Sequence, residues 1–153
     1  MVLIIRPTTA DDWQRVRDLR LEALADTPLA FAEHLADALE VDEAGWRLRG
    51  ARGAAVAIDD ERWVGTMGGY VSPEGPLLVG VYVTPSHRGT SVAADLLATI
   101  ETWARGQGDF LLLHVHEQNP RAIAFYRRNG FEPDGATVVA EQWENLVEFR
   151  MVR

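Results

Sequence analysis

The sequence predicts a mixed α/β fold in which a central sheet carries helices on both faces. Helical periodicity dominates before residue 53, a period of two replaces it there, and strands and helices alternate from residue 77 onward. The resulting element order is β-α-α-α-β-β-β-α-β-α-β-β, with about seven strands. Because a strand–helix–strand unit in one sheet forms a right-handed crossover, we expect the strands within residues 77–116 to be parallel.

The first third of the chain contains one strand followed by helices. Residues 2–6 are an apolar strand, and Thr9 begins a helix because an acid follows it three positions later, as in a capping box. Pro28 ends this helix. The alanine-rich residues 29–40 predict a second helix, and Asp42 caps a short third one.

The middle of the chain predicts a three-stranded meander. Residues 54–58 and 63–71 are strands joined by an acidic turn. The segment Pro73-Glu74-Gly75-Pro76 predicts a hairpin that leads to a third strand at residues 77–83.

The last part of the chain alternates between helices and strands. Asn119 is the N-cap of one of its helices, because Pro120 occupies the first helical position. The predicted elements are a helix over 90–105, a strand over 110–116, a helix from Asn119 to 129 ended by Gly130, and closing strands over 136–140 and 145–152.

Composition excludes several kinds of chemistry. The 153 residues are enough for one domain with a full core, and they include neither cysteine nor lysine. The chain therefore forms no disulfide, thiolate metal site, cysteine-bound acyl intermediate or Schiff base. The net charge of −8 disfavours nucleic-acid binding and mildly favours cationic substrates.

We expect a cytoplasmic protein that does not enter membranes. No apolar run approaches the ~20 residues of a membrane span. The first residues, from Met1 to Pro7, lack the basic segment of a signal peptide and form the first strand instead.

Residues 81–97 contain the most informative motif of the chain. A β-branched strand ends at Pro85, a turn of small residues follows, and an apolar-periodic helix then begins. Small residues in such a turn let several backbone N–H groups point to one place, at the positive end of the helix dipole. The sequence therefore predicts a binding site for a phosphate or pyrophosphate.

Two sequence blocks resemble those of the GNAT superfamily of N-acetyltransferases. Arg88-Gly89-Thr90-Ser91-Val92-Ala93, after Val83-Thr84-Pro85, is similar to the family's acetyl-CoA signature, Arg/Gln-x-x-Gly-x-Gly/Ala. The segment from Asn119 to Phe131 is similar to the family's Asn-x-x-Ala-x-x-Phe/Leu-Tyr-x-x-x-Gly-Phe. One position departs from the pattern, because Ser91 stands where the family usually has glycine. Serine retains the backbone N–H, but its Cβ narrows the approach of a pyrophosphate.

The resemblance implies a fold, an activity and a cosubstrate. The fold would be a single GNAT domain over residues 1–153, with a mixed, mostly antiparallel sheet. The activity would be direct transfer of an acetyl group from acetyl-CoA to a primary amine in a ternary complex, without a metal. The acceptor remains open among small amines, amino acids and protein N-termini, since residues 24–48 and 132–146 match no motif. A homodimer also remains open, and the alternative function is a catalytically weak acyl-CoA sensor or partner-binding module.

The resemblance also implies site residues. Tyr126 would act as general acid by hydrogen-bonding the leaving sulfur, with core packing as the alternative role. The groups that would contact the coenzyme belong to Val81, Tyr82, Val83, Arg88, Gly89, Thr90, Ser91, Val92, Ala93, Ala94, Asn119 and Tyr126.

Something must also take a proton from the amine, because an alkylammonium group has a pKa near ~10.4. The catalytic candidates for this step are Glu33 and His116, and His114 and Glu117 are further candidates. The two histidines alternate with apolar residues and therefore share one face of a strand. For each candidate, a solvated or already bonded side chain is the alternative.

Overall fold

One sheet of seven strands organises the described part of the chain. The structure is a computed structural model that describes residues 2–140 and 146–152, with the backbone alone for 138–140 and 146–152. The strands are β1 (Leu3–Pro7), β2 (Ala55–Asp59), β3 (Arg62–Ser72), β4 (Gly75–Val83), β5 (Leu112–His116), β6 (Glu132–Ala140) and β7 (Leu146–Val152). They lie in the order β1-β2-β3-β4-β5-β7-β6.

Neighbouring strands pair antiparallel, except that β4 and β5 are parallel. The mixed, mostly antiparallel sheet and the parallel unit within residues 77–116 are therefore confirmed. The α-helices are α1 (Trp13–Asp26), α2 (Leu35–Leu39), α3 (Glu43–Ala51), α4 (Val92–Arg105) and α5 (Pro120–Arg128). Within the described residues, no helix combines the length and the apolar character that a bilayer span requires.

Polar side chains at the helix starts explain where several helices begin. The backbone N–H of Thr9 donates to Asp12 Oδ2 at 2.8 Å in the predicted capping box, within a 3-10 turn that precedes α1. Asp42 accepts at 2.9 Å from the backbone N–H three residues further on, and Asn119 does the same at 3.3 Å at the start of α5. Each bond satisfies an N–H group that the helix itself leaves without an acceptor.

The predicted helix over residues 29–40 is wrong in its first half. Pro28–Ala30 form a 3-10 turn, the backbone is extended at Phe31, and only Leu35–Leu39 are α-helical. The side chain of Phe31 is buried in the core, and the guanidinium of Arg20 lies 4.5 Å from its ring centre. These tertiary contacts fix the extended segment, and they outweigh the helix propensity of the alanines.

Helices cover both faces of the sheet, as predicted, and each face has its own core. α4 and α5 pack on one face, around residues that include Met67, Leu96, Leu97, Tyr126 and Phe131. α1, α2 and α3 pack on the other face, around residues that include Leu24, Phe31, Trp46, Trp63 and Tyr82. Because side chains alternate along a strand, the residues of one strand contribute to both cores.

The sheet opens between β4 and β5. Among the described residues these strands share only the register pairs Leu77↔Leu112 and Leu78↔Leu113. Beyond Leu78, β4 therefore has no strand partner on the β5 side. Gly80, with φ of +63°, lies where the pairing of β3 with β4 shifts register. Because of the bulge and the missing partner, the ends of the parallel strands β4 and β5 border a cleft.

Candidate active site

A cleft of about 480 Å³ lies between the unpaired ends of β4 and β5. Side chains from both faces of the sheet reach it, so the cleft is open to both layers of helices. Its lining includes residues 79–83, 87–89 and 114–116, Ala93, Asn119, Arg121, Ala122, Phe125, Tyr126 and Arg128, together with Arg20, Thr27 and residues 29–32 from the α1 side.

The turn over residues 88–94, called here the 88–94 turn, borders the cleft through Arg88, Gly89 and Ala93. Gly89 has φ of +77°, a conformation that favours glycine, and no atom lies within 4 Å of where a Cβ would be. In the described residues, no acceptor is found for the backbone N–H groups of Gly89, Thr90, Ser91, Ala93 and Ala94. These free donors stand at the N-terminus of α4, where a phosphate or pyrophosphate would supply their acceptors.

Side-chain contacts of Arg88 and of the neighbouring His87 hold the 88–94 turn in place. Arg88 donates from Nε to the carbonyl oxygen of Val83 at 3.1 Å, and its Nη2 forms an ion pair with Asp26 at the end of α1. His87 Nε2 lies 2.8 Å from Asp59 Oδ2. The Arg88 side chain therefore fixes the turn, and the backbone of the turn is what faces a ligand.

The edge of β4 offers further backbone groups. The N–H of Thr84 donates to Val64 of β3 at 2.9 Å, so by alternation the N–H and carbonyl of Val83 point away from β3. Val81 lies in the bulge beside Gly80 and also lines the cleft. Tyr82 lines the cleft as well, and its hydroxyl donates to Glu22 Oε2 at 2.7 Å. Burial and the Glu22 carboxylate raise the pKa of Tyr82.

Tyr126 projects from α5 into the cleft lining. Its ring packs edge-on against Phe125 and Phe131, with centroids 5.5 and 5.8 Å away. Burial raises the pKa of the Tyr126 hydroxyl above its ordinary value, and in the described residues no side chain or backbone group bonds to it. The packing fixes the ring and leaves the hydroxyl as a neutral donor at the cleft.

Glu33 is not placed as a general base. Its carboxylate accepts from Arg49 Nη1 and Nη2 at 3.0 and 2.7 Å and from Arg20 Nε at 3.0 Å. The two hydrogen bonds from Arg49, and then the one from Arg20, lower the pKa of Glu33. A base for an ammonium group needs a raised pKa, and Glu33 is also absent from the cleft lining.

His114 and His116 line the cleft together. The intervening Leu113 and Val115 belong to the core under α4 and α5, so alternation places both histidines on the opposite face, toward α1. His114 is exposed, and the further candidate Glu117 is exposed and outside the cleft lining.

His116 is fixed in one tautomer by its own loop. Its Nδ1 accepts from the backbone N–H of Gln118 at 3.0 Å, so the neutral ring carries its proton on Nε2. The ring is buried, and Nε2 has no partner in the described part of the chain. This arrangement makes His116 a hydrogen-bond donor at Nε2, which is the opposite of the proton-accepting role expected from the sequence.

Three arginines of the cleft lining escaped the sequence reasoning. Arg20 lies outside both motifs, and Arg121 and Arg128 occupy unspecified positions of the second one, so their place at the cleft depends on how α1 and α5 pack. In the chain as described, no group of three or more histidine, aspartate or glutamate side chains is placed to hold a metal ion.

The sequence is similar to a family of known proteins. The family model described as the acetyltransferase (GNAT) family matches residues 13–131. No curated protein sequence matches the chain.

Solved structures with low sequence identity share the fold. The PaiA N-acetyltransferase of Thermoplasma acidophilum, in complex with coenzyme A, has a TM-score of 0.76 at 18% identity, over 100% of this chain and 99% of that one. Naa50 of Arabidopsis thaliana, in complex with the bisubstrate analogue CoA-Ac-MVNAL, has a TM-score of 0.73 at 15% identity, over 100% and 99%. A phosphinothricin acetyltransferase of Sinorhizobium meliloti, in complex with AcCoA, has a TM-score of 0.78 at 19% identity, over 100% and 88%.

Proposed function

The chain belongs to the acetyltransferase (GNAT) family, and we propose that it moves the acetyl group of acetyl-CoA directly onto a primary amine while both substrates are bound. It is accordingly an acetyl-CoA-dependent acyltransferase. The observation that carries the proposal is the set of free N–H groups in the 88–94 turn, which opens onto the same cleft as the hydroxyl of Tyr126.

The residues present fit a coenzyme that enters from the α4 and α5 side. The N–H groups of Gly89, Thr90, Ser91, Ala93 and Ala94 would bind its pyrophosphate, at the positive end of the α4 dipole. The unpaired edge of β4 at Val81 and Val83 would accept the amide-containing arm as an added strand. Asn119 lines the same part of the cleft and also caps α5.

Tyr126 would hydrogen-bond the sulfur as the carbon–sulfur bond breaks. A thiol has a pKa near ~8.5 and a phenol near ~10, so complete proton transfer to the thiolate is uphill. Burial raises the pKa of Tyr126 further, and the hydroxyl therefore stabilises the leaving thiolate mainly as a neutral donor.

The nitrogen of the amine attacks the thioester carbonyl carbon and loses one proton. His114 is the exposed imidazole of the cleft lining, and it or a water beside it would receive that proton. The buried Nε2–H of His116 would donate to an oxygen of the bound substrates.

The test is release of free coenzyme A from acetyl-CoA when primary amines are added. Because the chain has no cysteine, a thiol reagent reports only the released coenzyme. We expect release that depends on the amine and mass-spectrometric detection of the N-acetylated amine. Failure of every small amine, amino acid and peptide in a broad panel to be acetylated would contradict the proposal.

A further inference from the structure

Arg20 presents unused hydrogen-bond donors to the cleft from α1. Its Nε donates to Glu33 Oε1 at 3.0 Å, and its guanidinium lies 4.5 Å from the ring centre of Phe31. In the described residues, no acceptor is found for its Nη1 and Nη2 groups, although Arg20 lines the cleft. The Nε hydrogen bond to Glu33 and the ring of Phe31 thus hold the Arg20 side chain in place, and its two NH₂ groups are available to a ligand.

The cluster around Arg20 carries an excess positive charge. Two guanidinium groups, those of Arg20 and Arg49, face the single carboxylate of Glu33. Arg49 donates hydrogen bonds to both oxygens of the Glu33 carboxylate, so Glu33 has a charged partner without Arg20. Only 26% of the Arg20 side chain is exposed, and burial lowers the pKa of Arg20. An anion at the Nη groups would therefore be favoured over another cation.

Other arginines also line the cleft, and Asp26, which pairs with Arg88, lies outside the lining. Its lining includes four arginines and three histidines, and no aspartate or glutamate occurs among the lining residues that the structure describes. Arg121 and Arg128 share α5 with the proposed coenzyme site and Arg88 is paired with Asp26, whereas Arg20 lies on α1 with two unused NH₂ groups. Arg20 could therefore bind an acceptor on the α1 side of the cleft, away from the proposed coenzyme site on α5.

Resting on the proposed function, we propose that the acetyl acceptor is an amine that also carries a carboxylate, of the free amino acid class, and that this carboxylate binds the Nη groups of Arg20. Guanidinium and carboxylate groups match in a planar, two-point geometry. Phe31, Leu29 and Ala30 line the same side and would contact the apolar part of the acceptor. A peptide N-terminus places a neutral amide where the carboxylate would bind, so it would lack this contact.

The first test compares free amino acids with the corresponding amino acid amides, using coenzyme release as the assay. We expect kcat/KM to be at least about tenfold higher for the acids, because a charge-assisted pair is lost in the amides. Arg20→Gln should abolish this preference by raising KM for the acids far more than KM for the amides, whereas KM for acetyl-CoA should stay within about twofold.

The matched control is Arg17→Gln on the same helix. Arg17 pairs with Asp18 and is outside the cleft lining. It should retain the preference for acids. Equal kcat/KM for acids and amides in the unchanged protein, or an equal loss with both acceptors in Arg20→Gln, would overturn the inference while leaving acetyl transfer intact.

A binding measurement makes the inference testable without turnover. Calorimetry in the presence of coenzyme A would compare N-acetyl amino acids with their amides, in the unchanged protein and in Arg20→Gln. Tighter binding of the acids that disappears in Arg20→Gln supports the carboxylate site, even if no amine is acetylated and the proposed function fails. Absence of any Arg20-dependent preference in binding overturns it.

Discussion

Tyr126 combines a buried ring with a hydroxyl that no neighbouring group, among those described, engages. Tyr126→Phe removes only that hydroxyl, so we expect turnover to fall by about 10- to 100-fold, as the hydrogen bond to the leaving sulfur is lost. The Kd for coenzyme A should change by less than about threefold, because the ring packing persists. Steady-state kinetics and calorimetry measure the two effects.

The control for this change is Tyr70→Phe. Tyr70 also lines the cleft, but its side chain is 51% exposed and belongs to neither core. Turnover should be nearly unchanged in Tyr70→Phe. If Tyr126→Phe also retained full turnover, Tyr126 would have no part in the chemistry.

Substitutions of His116 test whether its buried imidazole donates a hydrogen bond or accepts a proton at the site. Because Nδ1 already accepts from Gln118, we expect His116→Gln, which retains an N–H near the position of Nε2, to keep more activity than His116→Leu. The acidic limb of the pH–rate profile should survive in His116→Gln, since the proton acceptor is elsewhere. Loss of that limb in His116→Gln, measured as kcat/KM over a pH series, would instead identify His116 as the base.

Among the elements, the 88–94 turn depends on backbone conformation more than on side chains. Gly89 has φ of +77°, which costs a residue with a side chain about 1–2 kcal/mol, whereas Ser91 has helical angles and an exposed side chain. We expect Gly89→Val to weaken coenzyme A binding about tenfold or more by turning the N–H groups away. Ser91→Gly is the matched change, and calorimetry should find its Kd within about threefold of the unchanged protein. Equal affinity in both variants would contradict a backbone site.

The start of α1 provides a prediction about stability. Hydrogen bonds from Arg6 lower the pKa of Asp12 to about 2, compared with ~3.9 in an unfolded chain. The ionised carboxylate therefore stabilises the fold above about pH 4, and this contribution is lost as the pH falls toward 2. Because Arg6 is 39% exposed, we expect Asp12→Asn to cost about 1–2 kcal/mol at neutral pH.

Urea unfolding at neutral pH and near pH 2 measures the difference in the free energy of unfolding between Asp12→Asn and the unchanged protein. The gap between Asp12→Asn and the unchanged protein should shrink as the pH falls. Asp11→Asn is the control, since Asp11 is almost fully exposed and should change little at either pH. A gap of constant size would show that the cap, and not the charge, stabilises the helix start.

Elements specified by local chemistry were predictable, and those specified by packing were not. Asp42 and Asn119 cap their helices through side chains close in sequence, so the helix starts followed from the residues themselves. The stretch 29–40 failed because Phe31 and Glu33 bind Arg20, which comes from a different helix. The same separation hid the cleft role of Arg20. The tautomer of His116 depends on loop conformation instead, because its donor, the backbone N–H of Gln118, is close in sequence but points to Nδ1 only in the folded loop.

At the scale of the whole molecule, an acidic protein encloses a basic cleft. The net charge is −8, yet the described cleft lining contains arginines and histidines without a carboxylate. Glu33, Asp26 and Asp59 pair with cleft residues from outside the lining, so the net charge of the chain does not indicate which groups face a ligand. The sequence expectation of cationic substrates rested on that net charge, whereas the unused donors of Arg20 would favour an anionic group at one place in the cleft.

The cleft also connects the two faces of the sheet, which bears on the order in which the substrates bind and the products leave. The start of α4 and Tyr126 lie with the core under α4 and α5, whereas Arg20 and Phe31 lie with α1, so the two substrates would occupy different parts of the cleft. Neither then needs to leave before the other binds, and no cysteine is present to carry the acetyl group between them. We expect initial rates, measured with both substrates varied, to give intersecting double-reciprocal lines. Parallel lines, together with an acetylated protein found by mass spectrometry after incubation with acetyl-CoA alone, would instead show transfer through the protein.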